Sequence, residues 1–165
     1  MSEPMLGELS LDDLKEQLLQ IIKSTGTEVN ESQIVLLDRG APHKSSTLPV
    51  GRMAVYSFIY QDRFLKIGKA GSNSNARFNS QHYDPKNSQS NLAKSLLNDP
   101  QLVELNLDAT NIKEWIKTNT RRIDFLVDAT LGIFVLNLIE AFLHLKYRPK
   151  YEGYEKQRPV IGIDL

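Results

Sequence analysis

The stretch Met53–Arg77, MAVYSFIYQDRFLKIGKAGSNSNAR, decides how this chain reads. AVYSFIY is rich in β-branched and aromatic residues, QDR is a polar break, and FLKIG resumes the strand pattern, so the spacing predicts a β-hairpin. With QDR as a three-residue loop, Tyr60 opposes Phe64 and Phe58 opposes Lys66. Tyr56, Phe58, Tyr60, Lys66 and Gly68 then share one face of the ribbon. A slip of one residue would send Lys66 to the face opposite Tyr56. After Gly68, the loop KAGSNSN leads into a helix near Asn75–His82, with Ser72 or Ser74 as its cap and Asp84-Pro85 as its stop.

Outward from the hairpin, Leu11, Leu14, Leu18 and Ile21 recur at helical spacing, which predicts an amphipathic helix over 10–23. Ser10 suits its N-cap, and Asp12 and Asp13 stand in its first turn, where the helix dipole favours anions. QIVLL at 33–37 is a candidate short strand, and 39–47 a loop that either connects flexibly or touches a partner. Short helices are expected over 89–98 and 110–118. At 121–129, Ile123, Phe125 and Val127 alternate with Arg122, Asp124 and Asp128, a strand pattern. A helix that is apolar nearly all round follows over 131–146 and closes at Tyr147-Arg148-Pro149. This divides the chain into an N-terminal helical extension and loop (1–48), a body (49–154) and a tail (155–165).

The 165 residues suit one domain with a hydrophobic core, and the apolar share of 41% and charged share of 24% are ordinary for a globular protein. With no cysteine there is neither a disulfide framework nor a thiolate metal site. The acidic N-terminus lacks an apolar core of signal-peptide length, and the run LGIFVLNLIEAFLHL is too short and polar to span a bilayer, so a cytoplasmic protein without a membrane partner is expected. Formal net charge is zero, but residues 1–38 hold two Lys/Arg against eight Asp/Glu, and residues 39–165 hold eighteen against twelve. A basic body behind an acidic segment is compatible with phosphate binding, although charge alone points first to an ordinary mixed surface.

Several residues stand out chemically. On the apolar 131–146 helix, Asn137, Glu140 and His144 form one narrow polar stripe, spaced three then four apart. A carboxylate on a mostly buried helix needs a cation, a donor or a metal, and Arg121 or Arg122 could serve as a simple surface partner. Glu140 and His144 at i, i+4 suit a metal, but no third ligand stands at a recognisable spacing for a structural zinc site. Lys66 is a poor choice for a central pleat. It is either the charge that protects an edge strand or a cation pointing into a cleft beside Tyr56. Arg77, in the first turn of a helix, is either a surface residue or one arm of a phosphate site. The segment GKAGSN lacks the Gly-Lys-Ser/Thr ending of a nucleotide-binding P-loop, and neither a Ser-His-Asp arrangement nor a Gly-x-Ser-x-Gly elbow is present.

Taken together, these residues resemble the GIY-YIG nuclease superfamily. AVY at 54–56 stands where that family has GIY, and KIG at 66–68 where it has YIG. Arg77 matches the family's helix Arg, Glu140 its single metal-binding Glu, and IEAFLHLKYRPKYEG its closing segment; the likeness covers about residues 52–154. It implies an α+β fold: a small three-stranded antiparallel sheet flanked by helices, carried here behind the N-terminal helical extension, with strands at 53–60, 64–68 and 121–128. The implied activity is hydrolysis of a DNA phosphodiester with one divalent metal, Mg²⁺ or Mn²⁺, held by Glu140. Arg77 would hold the phosphate, and Tyr56 would orient or deprotonate the attacking water, its pKa lowered by a nearby cation.

Three departures mark this chain: Ala54 replaces the first Gly, Lys66 the second-motif Tyr, as in some restriction endonucleases of the family, and Glu152 the common Asn. His82 lies near where some members place a His that assists the base. Lys69, Arg77, Arg148 and Lys150 are the candidate nucleic-acid contacts. Three functions follow: a magnesium-dependent DNA endonuclease, RNA remaining open as substrate; a catalytically silent nucleic-acid-binding module of the same fold; and an interaction protein that docks a partner through its N-terminal helix. Duplex cleavage by a one-site domain would favour a homodimer or two sequential nicks.

Overall fold

The computed structural model describes residues 10–86 and 91–152; the expected tail at 155–165 lies outside them. The architecture is α+β. A four-stranded antiparallel sheet runs β1 (Ile34–Gly40), β4 (Arg121–Asp128), β2 (Arg52–Tyr60) and β3 (Arg63–Ala70) from edge to edge. The sheet thus has four strands where three were expected. The extra one is the QIVLL segment, lengthened to Gly40 and paired with β4 from Ile34↔Val127 to Gly40↔Arg122. Without it β4 would be an open edge with unpaired backbone groups.

Helices cover both faces. On one, α1 (Leu11–Ser24) and α5 (Ile133–Tyr147) pack on alternate strand residues. Leu14, Leu18, Ile22, Ile139 and Leu143 meet Val55, Ile59, Ile67, Ile123, Phe125 and Val127 in an apolar core, and the buried Ser57 between Val55 and Ile59 donates to the Ile123 carbonyl at 3.0 Å. Ser10 caps α1 by accepting from Asp13 N at 3.2 Å. Each fully buried aliphatic side chain here contributes about 1.5–3 kcal/mol of hydrophobic stabilisation. Because α1 and β1 supply part of this core and sheet, residues 10–40 are integral to the fold of the body.

On the other face lie α2 (Asn75–Asn79), a 3₁₀ turn at Gln81–Tyr83, α3 (Leu92–Leu97) and α4 (Ile112–Asn119). They enclose Ala54, Tyr56, Phe58, Ala70, Phe78, Tyr83, Leu92, Leu96, Ile112 and Ile116. Covering both faces also buries the side of β4 that would otherwise meet water, so Arg122 and Asp124 are core residues, 0% and 1% exposed.

The hairpin reaches its expected pairing by a different route. The turn has two residues, Gln61 and Asp62, both at positive φ (48° and 61°), as the mirror-image turns that suit strand twist require. Tyr60 therefore opposes Arg63 instead of Phe64. A bulge then leaves Leu65 as an extra residue, and the register continues as Phe58↔Lys66 and Tyr56↔Gly68. The bulge restores the parity that a three-residue loop would have given, and so returns Lys66 and Gly68 to the face of Tyr56.

Candidate active site

Tyr56 is the centre of the candidate site. It stands mid-strand in β2 and is fully buried, its ring laid across Gly68 of the neighbouring strand. A Cβ at Gly68 would lie 2.6 Å from the Tyr56 hydroxyl and 2.8 Å from two ring carbons, so no larger residue fits there without displacing the tyrosine. Arg77, on the second helical face-layer, donates from Nε to the Tyr56 hydroxyl at 3.3 Å. His82, in the 3₁₀ turn after α2, meets the same hydroxyl through Nε2 in a short hydrogen bond. Since the phenol oxygen accepts from Arg77, its own hydrogen goes to His82 Nε2, which must be unprotonated. The proton of neutral His82 then sits on Nδ1, a buried nitrogen with no hydrogen-bond partner among the described residues.

Burial sets both ionisations. It pushes the Tyr56 phenol up to about 12, against the pull of Arg77 and Arg122, and the negative charge of Glu140 adds to the rise. The lowered phenol expected from a neighbouring cation is thus not what the site has, because desolvation outweighs the cations. Burial also brings His82 down to about 3, reinforced by the charges of Lys66, Arg77 and Arg122. At neutral pH the pair is a protonated phenol donating to a neutral imidazole.

Glu140 approaches from the opposite helical layer. The polar stripe of α5 lies along the outer edge of β3 and not in solvent. Lys69 Nζ binds Asn137 Oδ1 at 2.8 Å and Glu140 Oε1 at 3.2 Å, and His144 Nε2 donates to the Ile67 carbonyl at 3.0 Å. β3 is an edge strand, so a helix packed under it can reach round to the Tyr56 side. Glu140 therefore pairs with Lys69, while Arg121 pairs with Asp38 at 2.6 Å and Arg122 with Asp124 at 2.8 Å. Lys66 is 3% exposed, its ammonium 3.2 Å from Glu152 Oε1.

Of the expected nucleic-acid contacts, Arg77 is exposed and Lys69 lies beside Glu140. Lys150 turns away to Asp99 at 2.7 Å and Gln101 at 2.8 Å, and Arg148 is half-buried at the left-handed residue that ends α5. Among the described residues no group of three or more His, Asp or Glu is arranged to hold a metal. The donor set is one half-buried carboxylate, Glu140. That fits Mg²⁺, which keeps several waters and takes one or two carboxylates plus substrate phosphate oxygens, and does not fit a metal caged by protein alone.

Beneath the site is a polar network that the sequence reading missed. Arg122 donates to Asp124 Oδ1, the Tyr83 hydroxyl and the Phe78 carbonyl, each at 2.8 Å. Its guanidinium lies 4.7 Å from the Phe78 ring centroid, 5.3 Å from Phe58 and 5.4 Å from Tyr56. Tyr83 also meets His43 Nε2 at 2.8 Å, and Arg39 reaches Asp124 at 3.1 Å. Because Phe78 follows Arg77 in the chain, Arg122 fixes the backbone that carries the Arg77 side chain. The available signal was the polar side of RRIDFLVD, once enough amphipathic helices were counted to cover both sheet faces.

No protein-family model, no curated protein and no solved structure matches this chain.

Proposed function

We propose that the protein is a divalent-metal-dependent endonuclease that hydrolyses phosphodiester bonds of DNA. The observation that carries this reading is the convergence on one phenol oxygen: Arg77 and His82, from outside the strand, both bond the Tyr56 hydroxyl, while the charge of Glu140 is close enough to act on it.

In this reading Tyr56 passes a proton on instead of holding a phenolate in advance. An attacking water gives its proton to the Tyr56 oxygen as the phenol's own proton moves to His82 Nε2; the water oxygen bonds phosphorus while the bond to the leaving sugar oxygen breaks, that oxygen takes a proton from solvent, and the imidazolium returns its proton to solvent through the phenol. Neutral His82 is ready for this at physiological pH. Arg77 keeps its terminal guanidinium nitrogens for the phosphate, where charge grows in the transition state. Glu140 would hold the magnesium ion, which when bound neutralises charge on the phosphate and the leaving oxygen. Lys69 would give up Glu140 or share it.

The test is nicking of supercoiled plasmid with Mg²⁺, with EDTA, and by Glu140→Ala. Wild type is expected to nick only with the metal, and Glu140→Ala to be slower by at least about 100-fold. Equal nicking by the two proteins would sink the reading. One observation favours a silent nucleic-acid-binding module instead: both candidate cations already carry carboxylates, Lys66 on Glu152 and Lys69 on Glu140. That module would bind DNA with steep salt dependence and leave it intact.

A further inference from the structure

Lys66 poses a physical problem that the active-site reading does not solve. Its strand partner Phe58 is fully buried, and its own side chain is 4% exposed. An ammonium in such surroundings is costly unless an anion is held against it. The chain supplies one from 86 positions away in sequence. After α5, the left-handed Arg148 and Pro149 turn the backbone onto the outer edge of β3. There Lys150 N donates to the Phe64 carbonyl and Tyr151 N to the Leu65 carbonyl, both at 3.0 Å. Tyr151 and Lys150 fasten this segment a second time, each to Asp99, at 2.5 and 2.7 Å. The next residue is Glu152, whose Oε1 lies 3.2 Å from Lys66 Nζ and whose Oε2 lies 4.0 Å from His144 Nε2. The edge pairing runs alongside Phe64 and Leu65, immediately before Lys66, so backbone geometry delivers the carboxylate to that ammonium.

We infer that Glu152 is a positioning residue: it holds the Lys66 ammonium on the Tyr56 face of the hairpin, and the two charges act as one unit of the site. This rests on the nuclease reading for its catalytic consequence, though not for the pairing itself. Lys66 opposes Phe58, whose ring centroid is 5.8 Å from that of His82, and it stands two residues along β3 from the glycine on which the Tyr56 ring lies, so its charge adds to that of Arg77 on the face that would meet a phosphate. An ammonium released from Glu152 would leave this place. Lys66 and Glu152 are also two of the three positions at which the sequence departs from the GIY-YIG pattern, and here they touch.

The experiment compares wild type with Glu152→Gln, Lys66→Met, the double variant Lys66→Met/Glu152→Gln, and the charge swap Lys66→Glu/Glu152→Lys. Thermal unfolding and Mg²⁺-dependent plasmid nicking are measured on the full chain. Glu152→Gln is expected to lower Tm by about 5 °C and kcat by about tenfold, with KM changed less than about twofold. The Lys66/Glu152 double variant should lose clearly less Tm than the sum of its parts. The swap should recover most of the Tm yet nick at least about 100-fold more slowly, because a carboxylate then replaces the ammonium on the Tyr56 face and repels the phosphate. A swap that recovers both would make the pair merely structural and overturn the proposal, as would a Glu152→Gln protein indistinguishable from wild type. If wild type nicks nothing, the nuclease reading fails alone; the unfolding cycle still decides whether Glu152 holds Lys66, and additive single effects overturn it. If Glu152→Gln does not fold, Glu152→Asp replaces it: near-native Tm with reduced kcat supports the positioning role, and native kcat overturns it.

Discussion

The two faces of the one sheet are built on different principles. The face under α1 and α5 is a continuous apolar core in which alternate residues of β2, β3 and β4 meet two amphipathic helices. The face under α2, α3 and α4 buries Tyr56, Phe58 and Phe78 but also Lys66, His43, His82, Tyr83, Arg122 and Asp124. The first face needs little beyond volume and apolarity, its buried Ser57 hydroxyl being satisfied by the Ile123 carbonyl. The second needs partners, because each buried polar group without one costs about 1–3 kcal/mol. The candidate site lies on the second face, where a hydroxyl, an imidazole and a guanidinium are held by other polar groups. It borrows only Glu140 from the helix on the first.

The largest expected effect tests how much of the first face the N-terminal region supplies. Deleting residues 1–48 removes the buried Leu14, Leu18, Leu19 and Ile22 and the strand that pairs with β4, so the remaining chain should show no cooperative unfolding transition by circular dichroism. A truncated protein that unfolds cooperatively and binds DNA would instead mark this region as a separable docking element.

Next in size is Asp124→Ala, which leaves the fully buried Arg122 without its carboxylate. Breaking such a pair is expected to cost about 3–5 kcal/mol in urea unfolding. A loss under about 1 kcal/mol would show that Tyr83 and the Phe78 carbonyl suffice for Arg122. Gly68→Ala should follow, at about 1–3 kcal/mol, because its Cβ would collide with Tyr56. Its nicking rate should fall further than its stability, since the displaced group is the phenol itself; unchanged nicking would remove Tyr56 from the chemistry.

Acid should distinguish the faces as well. His82 and His43 both belong to the second face, and burial lowers them to about 3 and about 4. A histidine whose folded pKa lies below the unfolded value stabilises fully above about pH 6.5, and its contribution fades as pH falls below that, because the unfolded chain takes up the proton first. The urea midpoint should therefore drop steadily from pH 7 to pH 4, and less steeply in His43→Asn. Asp38, held low by Arg121, adds acid sensitivity only below about pH 4. A flat midpoint over pH 4–7 would contradict the buried neutral histidines. The smallest effect belongs to the outer surface of α5: Phe134 is 85% exposed, and Phe134→Ser should change stability by less than about 0.5 kcal/mol.

How much of this could be read in the chain follows the same division. Periodicity located α1, the hairpin, β4 and α5, because a single apolar stripe or alternation reports one buried side of one element. The same logic misread the second side of β4: Arg122 and Asp124 look like a solvent face until something is known to cover them. The hairpin is instructive in another way. The expected three-residue loop was wrong, yet Phe58↔Lys66 and Tyr56↔Gly68 stand, since a two-residue turn and a one-residue bulge preserve the same parity.

Local sequence was enough to single out Lys66, Arg77 and Glu140, because each residue type stands out in its own element: a lysine mid-strand, an arginine at a helix start, a lone carboxylate on an apolar helix; Tyr56 and His82 drew notice as site residues through the family resemblance. Their partners are another matter. That Tyr56 bonds Arg77 and His82, that Glu140 meets Lys69, and that Glu152 neutralises Lys66 all depend on contacts between residues 21 to 86 positions apart. Such contacts are set by how helices close over both faces of the sheet and by which strand is left at its edge. No residue's own neighbourhood in the chain carries that information, since burial and charge pairing belong to the packed whole.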